Sequence, residues 1–330
     1  MRKTSFFVPL LIICMAAFIL GELMIFILSP RVYMYPRMKF SAQYGFMLYE
    51  NCRMVHGVPW RWKVFYTINE YQYRGESVLP AEKYDKTNIV ILGDSYSFGY
   101  GVNDSATYPA VIAAKLENDF NVINLATPGW GLTQHIRRYY EFGRLYLPRI
   151  VILQFHPNDP EENLENKVTA IENKKFKFQD SGNTFNLIKK YLSRSIIQKS
   201  QIYNLFRESG FRFFERRAMV RSDPSRQTGG GSEEGIYPGD DFYNELLELF
   251  AKDLRRHGSE LIMISTNGGL EQFPKIKAKV SSLSSRGFLA YYDVRPWLKD
   301  VSGKRAPDGH LWGKEAHYIL GERLSEIIRR

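Results

Sequence analysis

The stretch that decides the fold is Asn88-Ile89-Val90-Ile91-Leu92-Gly93-Asp94-Ser95, an apolar run that ends in a polar turn. Short runs that are apolar on both faces are typical of strands in a parallel sheet covered by helices on either side. The carboxyl ends of such strands line the ligand crevice of an open sheet. The sequence therefore predicts a buried strand that presents Ser95 at the edge where chemistry takes place.

The same alternation of short apolar strands and amphipathic helices continues to the C-terminus. Four further apolar runs predict strands at 121–125, 150–155, 260–265 and 288–293. Amphipathic stretches predict helices at 108–118, 132–145, 241–257, 273–285 and 314–330. Strands that alternate with helices form beta-alpha-beta units. We therefore expect an α/β domain built on a five-stranded parallel sheet.

An apolar run at residues 6–28 predicts an N-terminal transmembrane helix. Its only charged side chain is Glu22, and a helix of this length spans a hydrocarbon core of about 30 Å. Arg2 and Lys3 also fit the start of a cleaved signal peptide, although no small-x-small cleavage site follows. Basic residues on the two sides of the run balance, so the positive-inside rule leaves the orientation open.

Composition divides the chain into three parts. Residues 1–30 hold the membrane anchor, and 31–85 are rich in Tyr, Trp, Pro and Arg with no long helical period. We expect 31–85 to form an irregular extension packed on the main domain, which covers 86–330. Between about 160 and 240 the strand–helix alternation breaks. This predicts an insertion with an amphipathic helical middle and a flexible glycine-rich return at 229–232.

The composition also excludes several kinds of site. The only two cysteines, Cys14 and Cys52, cannot build a disulfide framework or a zinc ligand set. No spaced set of ligand residues predicts a metal, and the glycines after the first strand lack the third glycine of a dinucleotide fingerprint. A Gly-x-Ser-x-Gly elbow is absent as well. We expect no metal and no organic cofactor.

Other polar turns of the sequence contain residues that could activate Ser95 as a nucleophile. A serine needs a base within hydrogen-bond reach and donors for the oxyanion that it generates. His310 lies in a polar turn before the last predicted helix, and Asp308 in the same turn can hold its tautomer. Gly129 follows the second strand and can present its backbone N–H, and Asn158 follows the third and can donate from its carboxamide. All of these turns lie at the same edge of the predicted sheet.

Two other histidines leave the choice of base open. His317 flanks the same helix start as His310 but lies inside the predicted helix, which makes it the less favoured base. His156 precedes Asn158 and can shape the pocket, although a histidine at a strand end is more often structural.

Four blocks of sequence resemble those of the SGNH, or GDSL-like, hydrolase and esterase superfamily. They are Gly93-Asp94-Ser95, residues 124–131, His156-Pro157-Asn158-Asp159 and residues 307–311. The resemblance implies a three-layer flavodoxin-like fold with Ser95 as nucleophile, His310 as base and Asp308 as its orienting acid. It also implies an oxyanion hole made of the Ser95 N–H, the Gly129 N–H and the Asn158 side chain.

Two features depart from the family pattern. Tyr96 stands where the motif has leucine, and one residue separates Asp308 from His310 where many members have two. The closer spacing changes the angle at which the Asp308 carboxylate leaves the turn, so a backbone carbonyl is the alternative partner for His310. Residues 67–75, residues 93–103 and the anchor together resemble a membrane-anchored bacterial subset. That resemblance implies an exported domain, in the periplasm or at the cell surface.

These observations predict an extracytoplasmic serine esterase that removes a small acyl group, such as acetyl, from an envelope carbohydrate. An O-acyltransferase that modifies an envelope polysaccharide is the alternative, because both reactions need the same triad and differ in how the pocket excludes water. A catalytically idle glycan-binding or assembly protein is a third.

Charge is concentrated in the insertion. Between Lys174 and Arg226 thirteen basic side chains face four acidic ones, which accounts for nine of the ten net positive charges. We therefore expect anionic glycans or lipid head groups to meet this segment. An exported chain is not expected to bind nucleic acid.

Overall fold

The computed structural model describes residues 7–28, 38–58, 62–78, 86–181, 200, 202–203, 239–265, 269–307, 309–310 and 312–330. The predicted helical middle of the insertion falls almost entirely outside these residues. The glycine-rich return at 229–232 and Asp308 lie outside them as well.

The N-terminal apolar run forms one helix, α1 (Phe7–Leu28). Its 22 residues make it about 33 Å long, enough to cross a bilayer. Almost all of its side chains are exposed, which fits a lipid-facing helix, but a signal sequence has the same length and composition. Its charged residue Glu22 accepts hydrogen bonds from the hydroxyl of Ser200 and from the backbone N–H of Ile202.

Two antiparallel hairpins form the described part of 31–85. In the first, β1 (Met38–Ser41) pairs with β2 (Gly45–Leu48). In the second, β3 (Cys52–Val58) pairs with β4 (Trp62–Ile68). The expectation of an irregular extension was wrong for these residues, because strands of four to seven residues carry a period of two that a search for helical periodicity misses.

The second hairpin packs on the main domain through its alternate side chains. Val64, Tyr66 and Ile68 are buried, as the period of a strand requires. They share one apolar cluster with Phe98 and Tyr100, which follow the first strand of the main domain. The hairpin therefore supports the segment that follows Ser95.

From residue 86 onward, strands and helices alternate around one sheet. In chain order they are β5 (Thr87–Leu92), α2 (Ser95–Phe98), α3 (Tyr108–Lys115), β6 (Phe120–Asn124), α4 (Leu132–Glu141), β7 (Ile150–Phe155), α5 (Asp159–Glu165), β8 (Thr169–Glu172), β9 (Lys175–Phe178), α6 (Asp240–Arg256), β10 (Glu260–Ser265), α7 (Pro274–Ser285), β11 (Ala290–Asp293) and α8 (Lys314–Ile328). All five predicted strands and all five predicted helices are present. The largest shift is at α4, which stops at Glu141 and continues after Phe142 as a short 3-10 turn.

The sheet has five parallel strands in the spatial order β11-β10-β7-β5-β6. Counted from β5, this is the order 2-1-3-4-5 of flavodoxin-like folds. The predicted fold class is therefore confirmed. From β5 the chain adds β6 on one side of the sheet and then β7, β10 and β11 on the other side. The crevice outside the carboxyl ends of β5 and β7 is where such folds bind ligands. Ser95 follows β5, and Asn158 follows β7.

Helices cover both faces of the sheet, which gives three layers. Val90 and Leu92 of β5 point into the cluster formed with α4, α6 and α7. Ile89 and Ile91 point into the opposite cluster, formed with α3 and α8. Because both faces of β5 are fully buried, the strand and the turn that leaves it are held in place from both sides.

The described start of the insertion is not purely helical. It consists of α5 and an antiparallel hairpin in which β8 pairs with β9. Asn173 and Lys174 form the two-residue tip, and both adopt left-handed backbone angles, with φ of 51° and 59°. Such a tip matches the twist of the flanking strands. The expectation of a helical insertion is corrected for these residues.

Candidate active site

The hydroxyl of Ser95 and the imidazole of His310 face each other at the carboxyl edge of the sheet. Nε2 of His310 lies 3.2 Å from Oγ of Ser95, within hydrogen-bond reach of a base. Both side chains are half-buried, so a substrate can reach them. The two residues that sequence reasoning singled out as nucleophile and base are therefore in contact.

The start of α2 directs the Ser95 backbone N–H outward. Ser95 is the first residue of α2, and the side chain of its N-cap, Asp94, accepts a hydrogen bond of 2.9 Å from the N–H of Tyr96. The first N–H groups of a helix have no partner within the helix. Within the described part of the chain no acceptor contacts the Ser95 N–H, so it can serve as an oxyanion donor.

Gln154, the last residue but one of β7, braces the turn that carries Ser95. Its Oε1 accepts hydrogen bonds from the N–H of Asp94 at 3.0 Å, from the N–H of Ser97 at 3.3 Å and from the Ser97 hydroxyl at 3.1 Å. A side chain at Gly93 would place its Cβ 2.6 Å from this oxygen, so only glycine fits there. Sequence reasoning missed Gln154. The signal that could have identified it is that it is the one polar residue in the apolar run 150–155.

Asn124 braces the same turn from the other side. At the end of β6, its Nδ2 donates a hydrogen bond of 3.0 Å to the carbonyl of Ser97. Three residues later, the N–H of Thr127 donates to the carbonyl of Gly93 at 2.9 Å. These bonds connect the loop that contains Gly129 to the turn that contains Gly93, Ser95 and Ser97.

Gly129 occupies an exposed turn in that loop. Its φ of +78° lies in the left-handed region, which glycine adopts without steric cost. The next residue, Trp130, is fully buried, stacks on Tyr44 with ring centroids 4.9 Å apart, and donates from Nε1 to the carbonyl of Phe46 at 3.0 Å. The first hairpin of the extension therefore anchors the loop that presents the Gly129 N–H.

Asn158 lies exposed at the start of α5 and is linked through His156 to the turn that contains Ser95. Its N–H donates to Nδ1 of His156 at 3.2 Å. The His156 ring stacks on Tyr96, with centroids 5.3 Å apart and planes 28° apart. Nδ1 of His156 also lies 3.8 Å from the carboxylate of Asp94. His156 thus couples the Asn158 loop to the residues on either side of Ser95.

Asp159 holds the same loop from within the protein. Its Oδ2 accepts a hydrogen bond of 3.1 Å from the N–H of His156, and its own N–H donates to the His156 carbonyl at 2.9 Å. Burial, with the nearby charges of Asp94 and Glu162, raises the pKa of Asp159 well above its usual value. A neutral carboxyl group is the form that this buried position favours.

Two tyrosine rings border the His310 imidazole. The Tyr100 ring lies 4.7 Å from it between centroids and the Tyr96 ring 5.3 Å. Tyr100 in turn packs against His56 of the second hairpin, with centroids 4.5 Å apart. No pattern in the sequence pointed to Tyr100 or His56, because their contacts join segments that are distant along the chain.

The alternative base, His317, is a structural residue. It is fully buried in α8, and its Nδ1 accepts a hydrogen bond of 3.1 Å from the N–H of Tyr108. Burial, with the charges of Arg74 and His310, lowers the pKa of His317 to about 3. His310 is the histidine that contacts Ser95. Asp308 lies outside the described residues, so its role stays a prediction.

Arg74, within the predicted segment 67–75, holds the chain that follows α2. Its guanidinium donates to the carbonyls of Phe98 at 2.7 Å and Val102 at 2.6 Å, and it pairs with Asp104 at 2.7 Å. The last carbonyls of a helix need such external donors. This buried cation therefore fixes the short helix that Ser95 begins.

Comparison with known proteins finds similarity among solved structures. No protein-family model matches the chain, and no curated protein does. The structure called TesA matches with 13% identity and a TM-score of 0.45, over 74% of this chain and 98% of its own. An acetyl xylan esterase matches with 9% identity and a TM-score of 0.43, over 73% and 99%. A carbohydrate acetylesterase family member from Sinorhizobium meliloti matches with 11% identity and a TM-score of 0.41, over 74% and 97%. At identities and TM-scores this low, these are similarities only.

Among the described residues, no group of three or more His, Cys, Asp and Glu side chains is arranged to hold a metal ion.

Proposed function

We propose that the protein is a serine esterase of the SGNH type, with Ser95 as nucleophile and His310 as general base. The observation that carries the proposal is the 3.2 Å contact between Nε2 of His310 and Oγ of Ser95. This contact lies beside the point where the order of the parallel strands reverses, which is where ligands bind in such folds.

In the proposed reaction Oγ of Ser95 attacks the ester carbonyl carbon while Nε2 of His310 takes the hydroxyl proton. His310 then gives that proton to the departing alcohol, which leaves an acyl group on Ser95. Water attacks this acyl-enzyme while His310 takes its proton. His310 then returns the proton to Oγ of Ser95 as the acyl–oxygen bond breaks, which releases the carboxylic acid and restores the serine. Tyr96 and Tyr100, which border the imidazole, limit its rotation during both proton transfers.

Three donors stabilise the tetrahedral oxyanion in this proposal: the N–H of Ser95, the N–H of Gly129 and the carboxamide of Asn158. The bonds from Gln154 and Asn124 to the nucleophile turn support this role, because they fix the turn relative to both neighbouring strands. Preorganised donors of this kind commonly supply the largest single share of rate acceleration. Asp308 is proposed to orient His310.

The proposed substrate is a small acyl ester, such as acetyl, on an envelope carbohydrate. Support comes from the half-buried positions of Ser95 and His310, which leave the reacting atoms within reach of an ester presented from solvent. The exposed apolar α1 supports attachment to a membrane. Placement of the catalytic domain outside the cytoplasm is part of the proposal and follows from the resemblance to the anchored bacterial subset.

The test is labelling of the full chain in detergent with a fluorophosphonate, which forms a covalent bond with an activated serine. We expect label on the wild type and on Ser105→Ala, a control that removes an exposed serine of a neighbouring turn. We expect no label on Ser95→Ala or His310→Ala. Persistent labelling of Ser95→Ala contradicts the proposal, and absence of label from the wild type supports the catalytically idle alternative.

Hydrolysis and transfer are separated by one further measurement. The protein is given p-nitrophenyl acetate with and without a glycan acceptor, and acetate release is compared with acetylation of the glycan. The esterase proposal requires acetate as the main product in both cases. Acetylated glycan as the main product assigns the O-acyltransferase activity instead.

A further inference from the structure

A surface groove lies at the other end of the sheet from the crevice that contains Ser95. It has a volume of about 280 Å³ and is enclosed by the β8–β9 hairpin, the end of α4 and the last turns of α6. Helix α6 begins beside Pro160 at the carboxyl edge of the sheet, since a Cβ at Gly239 would lie 2.4 Å from the Pro160 carbonyl oxygen. Arg256, sixteen residues after Asp240, is about 24 Å further along the helix. The groove is therefore at the opposite end of the sheet.

Aromatic rings form the wall of this groove. The ring centroid of Tyr140 lies 5.3 Å from that of Phe176 and 5.7 Å from that of Phe178. All three rings are half-buried, so part of each remains open to the groove. Ligand sites typically combine such apolar walls with a few polar groups placed to fix orientation.

The rim of the groove is cationic. Lys174 and Lys175 are exposed at the hairpin tip, and within the described chain no carboxylate lies in ion-pair distance of either. Arg256 and His257 approach from α6. The one acid of the lining, Asp253, accepts a hydrogen bond from the hydroxyl of Tyr140 and lies 3.5 Å from both the guanidinium of Arg256 and Nδ1 of His257.

The backbone fixes where the two lysines stand. Lys174 occupies a left-handed position of the tight hairpin turn, with φ of 59°, and Lys175 begins β9. The turn is closed by the pairing of Glu172 with Lys175 across the hairpin. Both lysines therefore belong to a short, paired element next to the ring wall, rather than to a long loop.

We propose that this groove binds an acidic saccharide, with its carboxylates against Lys174 and Lys175 and the C–H faces of its sugar rings against Phe176 and Tyr140. Positive charge attracts the anion, and the rings select for a ligand that also has flat apolar faces. A lipid surface fits less well, because the rings do not protrude: none of the three is among the exposed large apolar side chains of the described chain.

Binding at this site does not depend on the chemistry proposed for Ser95. If the proposed function holds as well, an acidic polysaccharide bound here would stay attached while the distant catalytic crevice acts on other positions of the same polymer. The groove gives room for one or two sugar units, since its volume of about 280 Å³ lies just below the range of about 300–1,000 Å³ for small-ligand sites.

The test measures binding of tetragalacturonate and of neutral maltotetraose to the full chain in detergent by calorimetry. We expect the acidic tetrasaccharide to bind and the neutral one to bind at least about tenfold more weakly. The double variant Lys174→Gln/Lys175→Gln is expected to lose at least about tenfold in affinity for tetragalacturonate. The matched variant Lys277→Gln/Lys314→Gln, which removes two exposed lysines from α7 and α8, is expected to bind like the wild type.

A third variant separates ring contacts from charge. Phe176→Leu keeps an apolar side chain but removes the ring face, and we expect about threefold weaker binding with unchanged fluorophosphonate labelling. The proposal is overturned by no binding of tetragalacturonate to the wild type, or by equal loss in both lysine double variants, which would indicate diffuse charge. It is also overturned if vesicles of phosphatidylglycerol, and not tetragalacturonate, bind in a manner that Lys174→Gln/Lys175→Gln abolishes.

Discussion

Oγ of Ser95 and Nε2 of His310 lie 3.2 Å apart, although 215 positions separate the two residues along the chain. The contact exists because β5 is a central strand and because α8, directly after His310, packs on α3 beside it. At the closest approach of these helices, a Cβ on Gly321 would lie 2.5 Å from Val111. His310 therefore reaches Ser95 through helix packing on one face of the sheet.

Replacement of Gln154 by leucine is expected to lower the free energy of unfolding. The Gln154 Oε1 is the acceptor for two backbone N–H groups and one hydroxyl, all buried in the nucleophile turn. A buried donor left without a partner costs about 1–3 kcal/mol. We expect the free energy of unfolding to fall by at least about 3 kcal/mol, measured by urea denaturation.

Gln272→Leu is the matched control for this variant, because Gln272 is exposed. We expect it to change the free energy of unfolding by no more than about 0.5 kcal/mol. A Gln154→Leu protein that unfolds at the same urea concentration as the wild type would show that the turn does not need this acceptor.

Removal of the Asn158 carboxamide is expected to slow catalysis without unfolding the protein. The side chain is exposed, so Asn158→Ala leaves no cavity. Loss of one oxyanion donor lowers kcat by about 10²–10³-fold. We expect this loss with p-nitrophenyl acetate, with KM nearly unchanged, because the donor acts on the transition state more than on the bound ester.

The control for Asn158→Ala is Asn118→Ala, which removes a carboxamide from an exposed position elsewhere. A kcat for Asn158→Ala within a factor of two of the wild type, at equal thermal stability, would remove Asn158 from the proposed oxyanion hole.

The buried His317 is expected to make the protein less stable in acid. Its pKa is lowered to about 3 from the usual 6.5, so between these values the unfolded chain binds a proton that the folded chain does not. The stability contributed by the neutral ring is complete above pH 6.5 and is lost as the pH falls towards 3. His317→Gln is expected to reduce the slope of unfolding free energy against pH by about 1.4 kcal/mol per pH unit in this window.

Urea denaturation at pH values from 4 to 8 measures this slope. Above pH 7 the curves of the wild type and of His317→Gln are expected to run parallel, which is the internal control. Parallel curves over the whole range would mean that His317 titrates alike in the folded and unfolded chain. His135, also fully buried, has its pKa lowered to about 3 by burial and is expected to keep some acid sensitivity in the variant.

Local pattern was sufficient to predict the sheet. The strands Ile150–Phe155 and Glu260–Ser265 have the predicted bounds, because each is a short apolar run that ends at polar residues. The hairpins of the extension were missed, since their strands are short and alternate with exposed polar positions. A period of two over seven residues gives a much weaker signal than a buried apolar run.

The site was predictable only where its chemistry is carried by unusual residue types in turns. Ser95 and His310 stood out because each lies in a polar turn, one directly after an apolar strand and the other before the last predicted helix. Gln154, Tyr100 and Arg74 did not, because each acts through a partner in a distant segment: Arg74 reaches Asp104 thirty residues away. Such contacts become visible only once the fold has brought the segments together.

If the proposed function holds, the order of elements along the chain also determines when the protein becomes reactive during synthesis. Strand β5 and the Ser95 turn leave the ribosome early, and β7 brings the bracing Gln154 next to them. His310 precedes only the last helix of the described chain. Under the proposed mechanism, a nascent chain that ends before His310 holds Ser95 in its turn without the base that would activate it.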